Sequence, residues 1–196
     1  MPPDLSNEAQ AGTRYAYKPS LFGAAYQFEL TEQGLSWRIA GRSDLWRYAD
    51  IASIRLSYRP VSMQSHRFRA DIGNIDGARL SMLSTSWQTA ALMTSQDRDY
   101  RTFIAGLHAR MAKAKSPARL TGGLDPWVYA AAILCVTLVV LAMAGLLLRA
   151  VTTGEWAGAL FLIGFAALFA WQVGGFITRN RPLVYTFDDL PRALLP

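Results

Sequence analysis

A single cysteine, Cys135, stands among 196 residues, and it lies inside an apolar run. One thiol excludes an intrachain disulfide and has no companion for a metal site, so it reads as a small residue facing lipid or packing between helices. Histidine is nearly as scarce. His66 falls in mid-strand beside Arg67, and His108 falls on a helix beside Leu107. Neither has a cysteine, histidine or carboxylate at metal-ligand spacing, and both read as surface or boundary residues. The chain has no P-loop, G-x-S-x-G, H-E-x-x-H or C-x-x-C pattern. The Asp188-Asp189 pair has no partner acid or base and reads as a solvated turn. The expectation is a non-enzymatic chain with no catalytic residue, no cofactor and no metal.

Charge is missing from two long stretches. Residues 127–148 and 156–177 are 22-residue runs whose only strongly polar side chain is Gln172. A helix of that length extends roughly 33 Å, enough for a hydrocarbon layer of about 30 Å. Trp127, Tyr129, Trp156 and Trp171 stand near the ends, where an interfacial belt places aromatic rings. The connector, residues 149–155, is too short for anything but an antiparallel hairpin. Arg110, Lys113, Lys115 and Arg119 precede the hairpin and Arg179, Arg181 and Arg192 follow it, whereas the connector offers only Arg149. The excess of cations on the two outer flanks predicts both termini in the cytoplasm and a multi-pass protein of the inner membrane. Within the second run Ala166, Ala170 and Gly174 recur every fourth residue, a helix-packing stripe. Two occupants are open for it: the first helix of the same hairpin, or another protomer in a homo-oligomer. No series of intramembrane ionisable residues marks an ion or proton pathway.

The remaining charge is concentrated in residues 1–126, which hold 16 of the 20 Lys+Arg and 11 of the 14 Asp+Glu. The arginines are scattered rather than run together, which argues against a nucleic-acid partner. The first ten residues lack the basic opening and apolar core of a secretory signal, so export of the domain is not expected. From about residue 22 to 84 hydropathy alternates with a period near two. Segments 24–30, 35–40, 45–48, 51–58, 66–72 and 78–83 read as antiparallel strands separated by turn residues. After Ser84 the period changes. Thr94 or Ser95 can cap a helix with Asp97 and Asp99 in or near its first turn. Tyr100, Phe103, Ile104, Leu107 and Met111 form its apolar stripe. Pro117 and Gly122-Gly123 end it. Arg55, Arg59, Arg67, Arg69 and Arg79 alternate along neighbouring strands and can share one outward face.

Six or seven short strands followed by one amphipathic helix suggest an α+β unit: an antiparallel β-sandwich or barrel capped by the helix. The segments 48–56, 100–110 and 180–185, with the closing Leu-Pro pairs at 190–191 and 195–196, resemble bacterial pleckstrin-homology-like membrane proteins. The resemblance implies a PH-like domain joined to two antiparallel transmembrane helices. The boundaries expected are a flexible segment 1–20, the domain 21–116, a linker 117–126, helices 127–148 and 156–177 around the non-cytoplasmic loop 149–155, and a cytoplasmic tail 178–196. The first hairpin region, residues 29–36, holds Glu29 and Glu32 and no cation, unlike the basic loop by which eukaryotic PH domains hold phosphoinositides. Three roles follow as expectations: a protein-interaction or scaffolding module, a sensor of an anionic lipid surface through Arg110, Lys113, Lys115 and Arg119, or an accessory subunit of a larger complex. The partners expected are the lipid bilayer, an unidentified protein and further copies of the chain. The apolar, proline-rich tail is expected to return and pack on the domain or on a neighbouring protomer.

Overall fold

A computed structural model describes residues 13–60, 66–88 and 93–196. It is an α+β protein: a β-rich unit followed by two long apolar helices. The chain divides into two compact units, residues 1–122 with 183–196, and residues 123–182.

The first unit opens with a meander, β1 (Arg14–Tyr17), β2 (Tyr26–Leu30), β3 (Gly34–Ile39) and β4 (Arg42–Arg47), which pair antiparallel in chain order. A second sheet has the order β11-β10-β5-β6-β7. It is built on the meander β5 (Ile51–Tyr58), β6 (Phe68–Asn74) and β7 (Arg79–Leu83), extended by β10 (Arg119–Gly122) and β11 (Leu183–Val184). β8 (Thr85–Trp87) and β9 (Met93–Ser95) form a separate ribbon before helix α1 (Asp97–Lys113). Strand alternation does what the pattern predicts. In β6, Phe68, Ala70 and Ile72 are buried while Arg69, Asp71 and Gly73 are not. Burying each large apolar side chain contributes roughly 1.5–3 kcal/mol.

Helix α1 buries Tyr100, Phe103, Ile104, Leu107, His108 and Met111, the expected stripe with one histidine added. Its N-cap is Gln96, which makes no side-chain cap bond, rather than Thr94 or Ser95; these two lie in β9. Asp97 and Asp99 occupy the first turn, where the helix dipole favours carboxylates.

The folded unit is wider than residues 21–116. Residues 1–12 of the segment expected to be flexible lie outside the described residues, but Arg14–Tyr17 is a strand whose Tyr15 and Tyr17 are 4% and 2% exposed. Tyr15 lies edge-on to Tyr100 at 5.9 Å and also meets Phe103. The Tyr15 and Tyr17 hydroxyls donate to the carbonyls of Leu83 and Ser81, so these side chains satisfy acceptors on the outer edge of β7. Four of the ten residues of the expected linker are likewise a strand: β10 runs parallel to β5.

The second unit is an antiparallel hairpin of α2 (Pro126–Thr152) and α3 (Trp156–Arg179), each longer than its charge-free run. Both are long and apolar enough to cross a membrane. Asp125 caps α2 by accepting from the Trp127 amide, with Pro126 in the first turn where its missing N–H costs nothing. At the base of the hairpin the Leu124 amide donates to the Asn180 carbonyl at 3.0 Å.

Candidate functional site

The feature that organises the first unit is where its sheet is interrupted. β10 ends at Gly122 and β11 begins at Leu183, and these two residues are direct antiparallel partners. The whole apolar hairpin is therefore inserted between two neighbouring strands of one sheet. Residues 123–125 and 180–182 are the only chain that joins the strands to the helix ends.

The C-terminal segment returns to the first unit. Leu194 is fully buried and Tyr185 nearly so. Opposite the Tyr185 hydroxyl lies His108. Its Nε2 is 3.0 Å from that hydroxyl and its Nδ1 is 2.8 Å from the Ile104 carbonyl oxygen. These partners define a neutral tautomer, with Nδ1–H donating to the carbonyl and Nε2 accepting from the tyrosine. His108 is thus no surface or boundary residue: a ring placed one turn from Ile104 on the apolar stripe is drawn into the core, and the tail supplies its second partner. His66, by contrast, is exposed and near the Tyr58 ring.

Burial holds the His108 imidazole below its ordinary value, against a smaller opposing effect of the Ile104 bond. The groups that face it are the Ile104 carbonyl, the Tyr185 hydroxyl and the Phe187 ring. Below about pH 6.5 the unfolded chain binds this proton and the folded one resists it. The stability from the neutral imidazole is therefore fully present above about pH 6.5 and is lost as pH falls toward the lowered folded value. Melting the full chain across this range is expected to show that loss, and His108→Gln is expected to flatten it. An unchanged slope in the variant would count against the assignment. Tyr185→Phe is expected to cost roughly 1–3 kcal/mol at neutral pH, because it leaves a buried ring nitrogen without its partner.

The sequence-predicted lipid contacts separate. Arg110 is only partly exposed, and its Nη1 donates to the carbonyls of Leu30 and Thr31. It fastens α1 to the β2–β3 turn and is not a free surface cation. Lys113, Lys115 and Arg119 are exposed. The stripe of small residues lies along one groove. Ala166 lies half-buried in the seam between α2 and α3, with Leu162, Phe169 and Val173, at alternating steps of three and four residues. Ala170 and Gly174 are exposed, and with Ala166 they line an open apolar groove of 580 Å³ together with Val140 and Met143. Apart from Ala159 the two helices bury no residue.

The expected arginine face exists. Register puts Arg55, Arg69 and Arg79 on the side of the second sheet away from the core, with Asp71 the acid among them. Arg69 bonds Asp71 and Ser81. In the first sheet β4 is an open edge: among the described residues it pairs only with β3, and Arg42 to Leu45 are exposed. Among the described residues no group of three or more histidine, cysteine or acidic side chains is placed to hold a metal ion. No family model, no curated protein and no solved structure matches this chain.

Proposed function

We propose that the chain is a non-enzymatic, integral protein of a bacterial inner membrane. In this reading a PH-like domain is held on the cytoplasmic face by a transmembrane hairpin and serves as a protein-interaction module. The observation that carries it is the insertion of two long, almost wholly exposed apolar helices between two paired strands. A helix made for the core of a soluble protein would be buried; these shed nearly all their apolar surface outward, as lipid requires. Anchoring at both Gly122 and Leu183 suits a domain that is held at a surface and presented there.

The PH-like plan is supported by the order of elements: a four-strand meander, a three-strand meander, then a helix that seals the core. The interaction role rests on β4. Leu45 donates its amide to its neighbour Asp44 rather than to β3, so the amides of alternate residues on this strand face outward. Such an edge can accept a further strand from a partner. A photo-crosslinking side chain at Ser43, in native membranes, is expected to give a discrete protein adduct, and the same group at Asp76 is not. Absence of any protein adduct at Ser43 would contradict the role. A second reading, contact with an anionic lipid surface, is favoured by the outward arginines of the second sheet.

A further inference from the structure

The geometry points to Arg59 and Arg67 as a site for the phosphate of an anionic lipid headgroup, at the sheet end from which the chain leaves for its apolar hairpin. This rests on the membrane-spanning reading of that hairpin. The argument begins with register. β10 runs parallel to β5, with Gly122 level with Leu56, so β5 points the way the chain departs. Arg59 stands three residues beyond Leu56, about 10 Å further along. The Arg59 amide donates to the Arg67 carbonyl at 2.7 Å, which continues the ladder one step past the Tyr58–Phe68 pair. Tyr58 and Phe68 are buried in the core, so alternation turns Arg59 and Arg67 to the opposite face.

Two arginines directly across a strand pair repel one another. Arg67 lacks relief: its Nε is shielded from solvent and, among the described residues, has no hydrogen-bond partner. The neighbouring charges that act on it are Arg69 and Arg59, which add to burial in holding its guanidinium below the ordinary value. Arg69 is occupied by Asp71. A phosphate would supply what this pair lacks, an anionic acceptor for planar guanidinium donors. An anionic surface is also close by covalent necessity, because the four extended steps across three linking residues reach at most about 14 Å. With the hairpin across a bilayer, each strand is joined to a helix end by no more than that.

The cations that precede the hairpin in sequence are at the other end of the sheet. Arg119 is level with Ser53, and the Ser116 hydroxyl donates to the carbonyl of Ile51, where β5 begins. Lys113, Lys115 and Arg119 are thereby set apart from the exit, although sequence adjacency favours them.

The test uses the full chain carrying Cys135→Ala, with a donor dye on His66→Cys, in nanodiscs that contain acceptor-labelled lipid. Phosphatidylglycerol is expected to raise energy transfer over plain phosphatidylcholine, and salt to reverse it. With about fivefold for each arginine, Arg59→Gln with Arg67→Gln is expected to lower the ratio of docked to undocked domain about thirtyfold. Lys113→Gln with Lys115→Gln is expected to match the parent. The arginine pair variant should melt no lower than the parent, since a repulsion has been removed. An arginine variant that matches the parent, or a lysine variant that carries the loss, overturns the site. So does a melting shift induced by inorganic phosphate in plain phosphatidylcholine discs without any response to phosphatidylglycerol, which would mark a free-anion site. A chain that fails to enter discs contradicts the hairpin reading itself and takes this site with it.

Discussion

Ending the chain at Pro182 is expected to leave the β-rich unit unable to hold its native structure at ordinary temperature. The segment lost contains β11, the buried Tyr185 and the fully buried Leu194. Removing a buried leucine costs roughly 2–5 kcal/mol and a large aromatic roughly 3–5. His108 would lose its Tyr185 partner at roughly 1–3 kcal/mol more. Any two of these approach the whole stability of a typical domain, about 5–15 kcal/mol. Leu194→Ala gives a graded version, expected to cost roughly 2–5 kcal/mol by thermal melting of the full chain. A shortened chain that melts like the full one would show that the closing segment is not part of the fold.

Gly34→Ala is expected to rank among the most damaging single substitutions in the first sheet, by roughly 3 kcal/mol or more. Gly34 pairs with Arg47 at the start of β3. A Cβ there would overlap the Trp46 carbonyl oxygen and lie 2.9 Å from the Arg47 Cα. These are backbone atoms of the paired strand, so relief requires β3 and β4 to separate, which would expose Leu35 and Trp46. Gly77→Ala is the control. Its φ of +82° strains an alanine, but open space surrounds it, and the expected cost is about 1 kcal/mol. Equal melting shifts for the two variants would contradict the close approach at Gly34.

What was legible in the sequence was whatever depends on local period. The alternation in residues 51–58 and 66–72 gave β5 and β6 nearly to their ends, and the stripe from Tyr100 to Met111 gave the buried face of α1. The two charge-free runs gave α2 and α3, short by the flanking turns that hydropathy does not report. Hidden were the elements whose partners are remote. Arg14–Tyr17 is too short to show a period, and it becomes a strand because β2 pairs with it and the core accepts two tyrosines. Residues 119–122 look like a linker between Pro117 and two glycines. They form a strand because β5, more than sixty residues earlier, offers a parallel edge.

The candidate site shows the same divide. Alternation alone put the arginines on one outward face. It could not show that Arg110 is spent on the Leu30 and Thr31 carbonyls, or that His108 is buried against Tyr185, 77 residues away. Nor could it reveal that Arg59 and Arg67, remote in sequence from the helices, share a sheet end with Gly122. The one available signal was the apolar tail, whose Leu183, Tyr185 and Leu194 asked for something to cover them.

Labelling with a membrane-impermeant thiol reagent decides the matter most directly. In a Cys135→Ala background, Thr153→Cys sits in the turn between α2 and α3 and Asp76→Cys in the exposed β6–β7 turn. Intact cells should label position 153 and leave 76 untouched until the membrane is opened. Reaction of both thiols from the same side would mean that the helices do not carry the chain across, and that the sheet is not held at a bilayer by its two neighbouring strands.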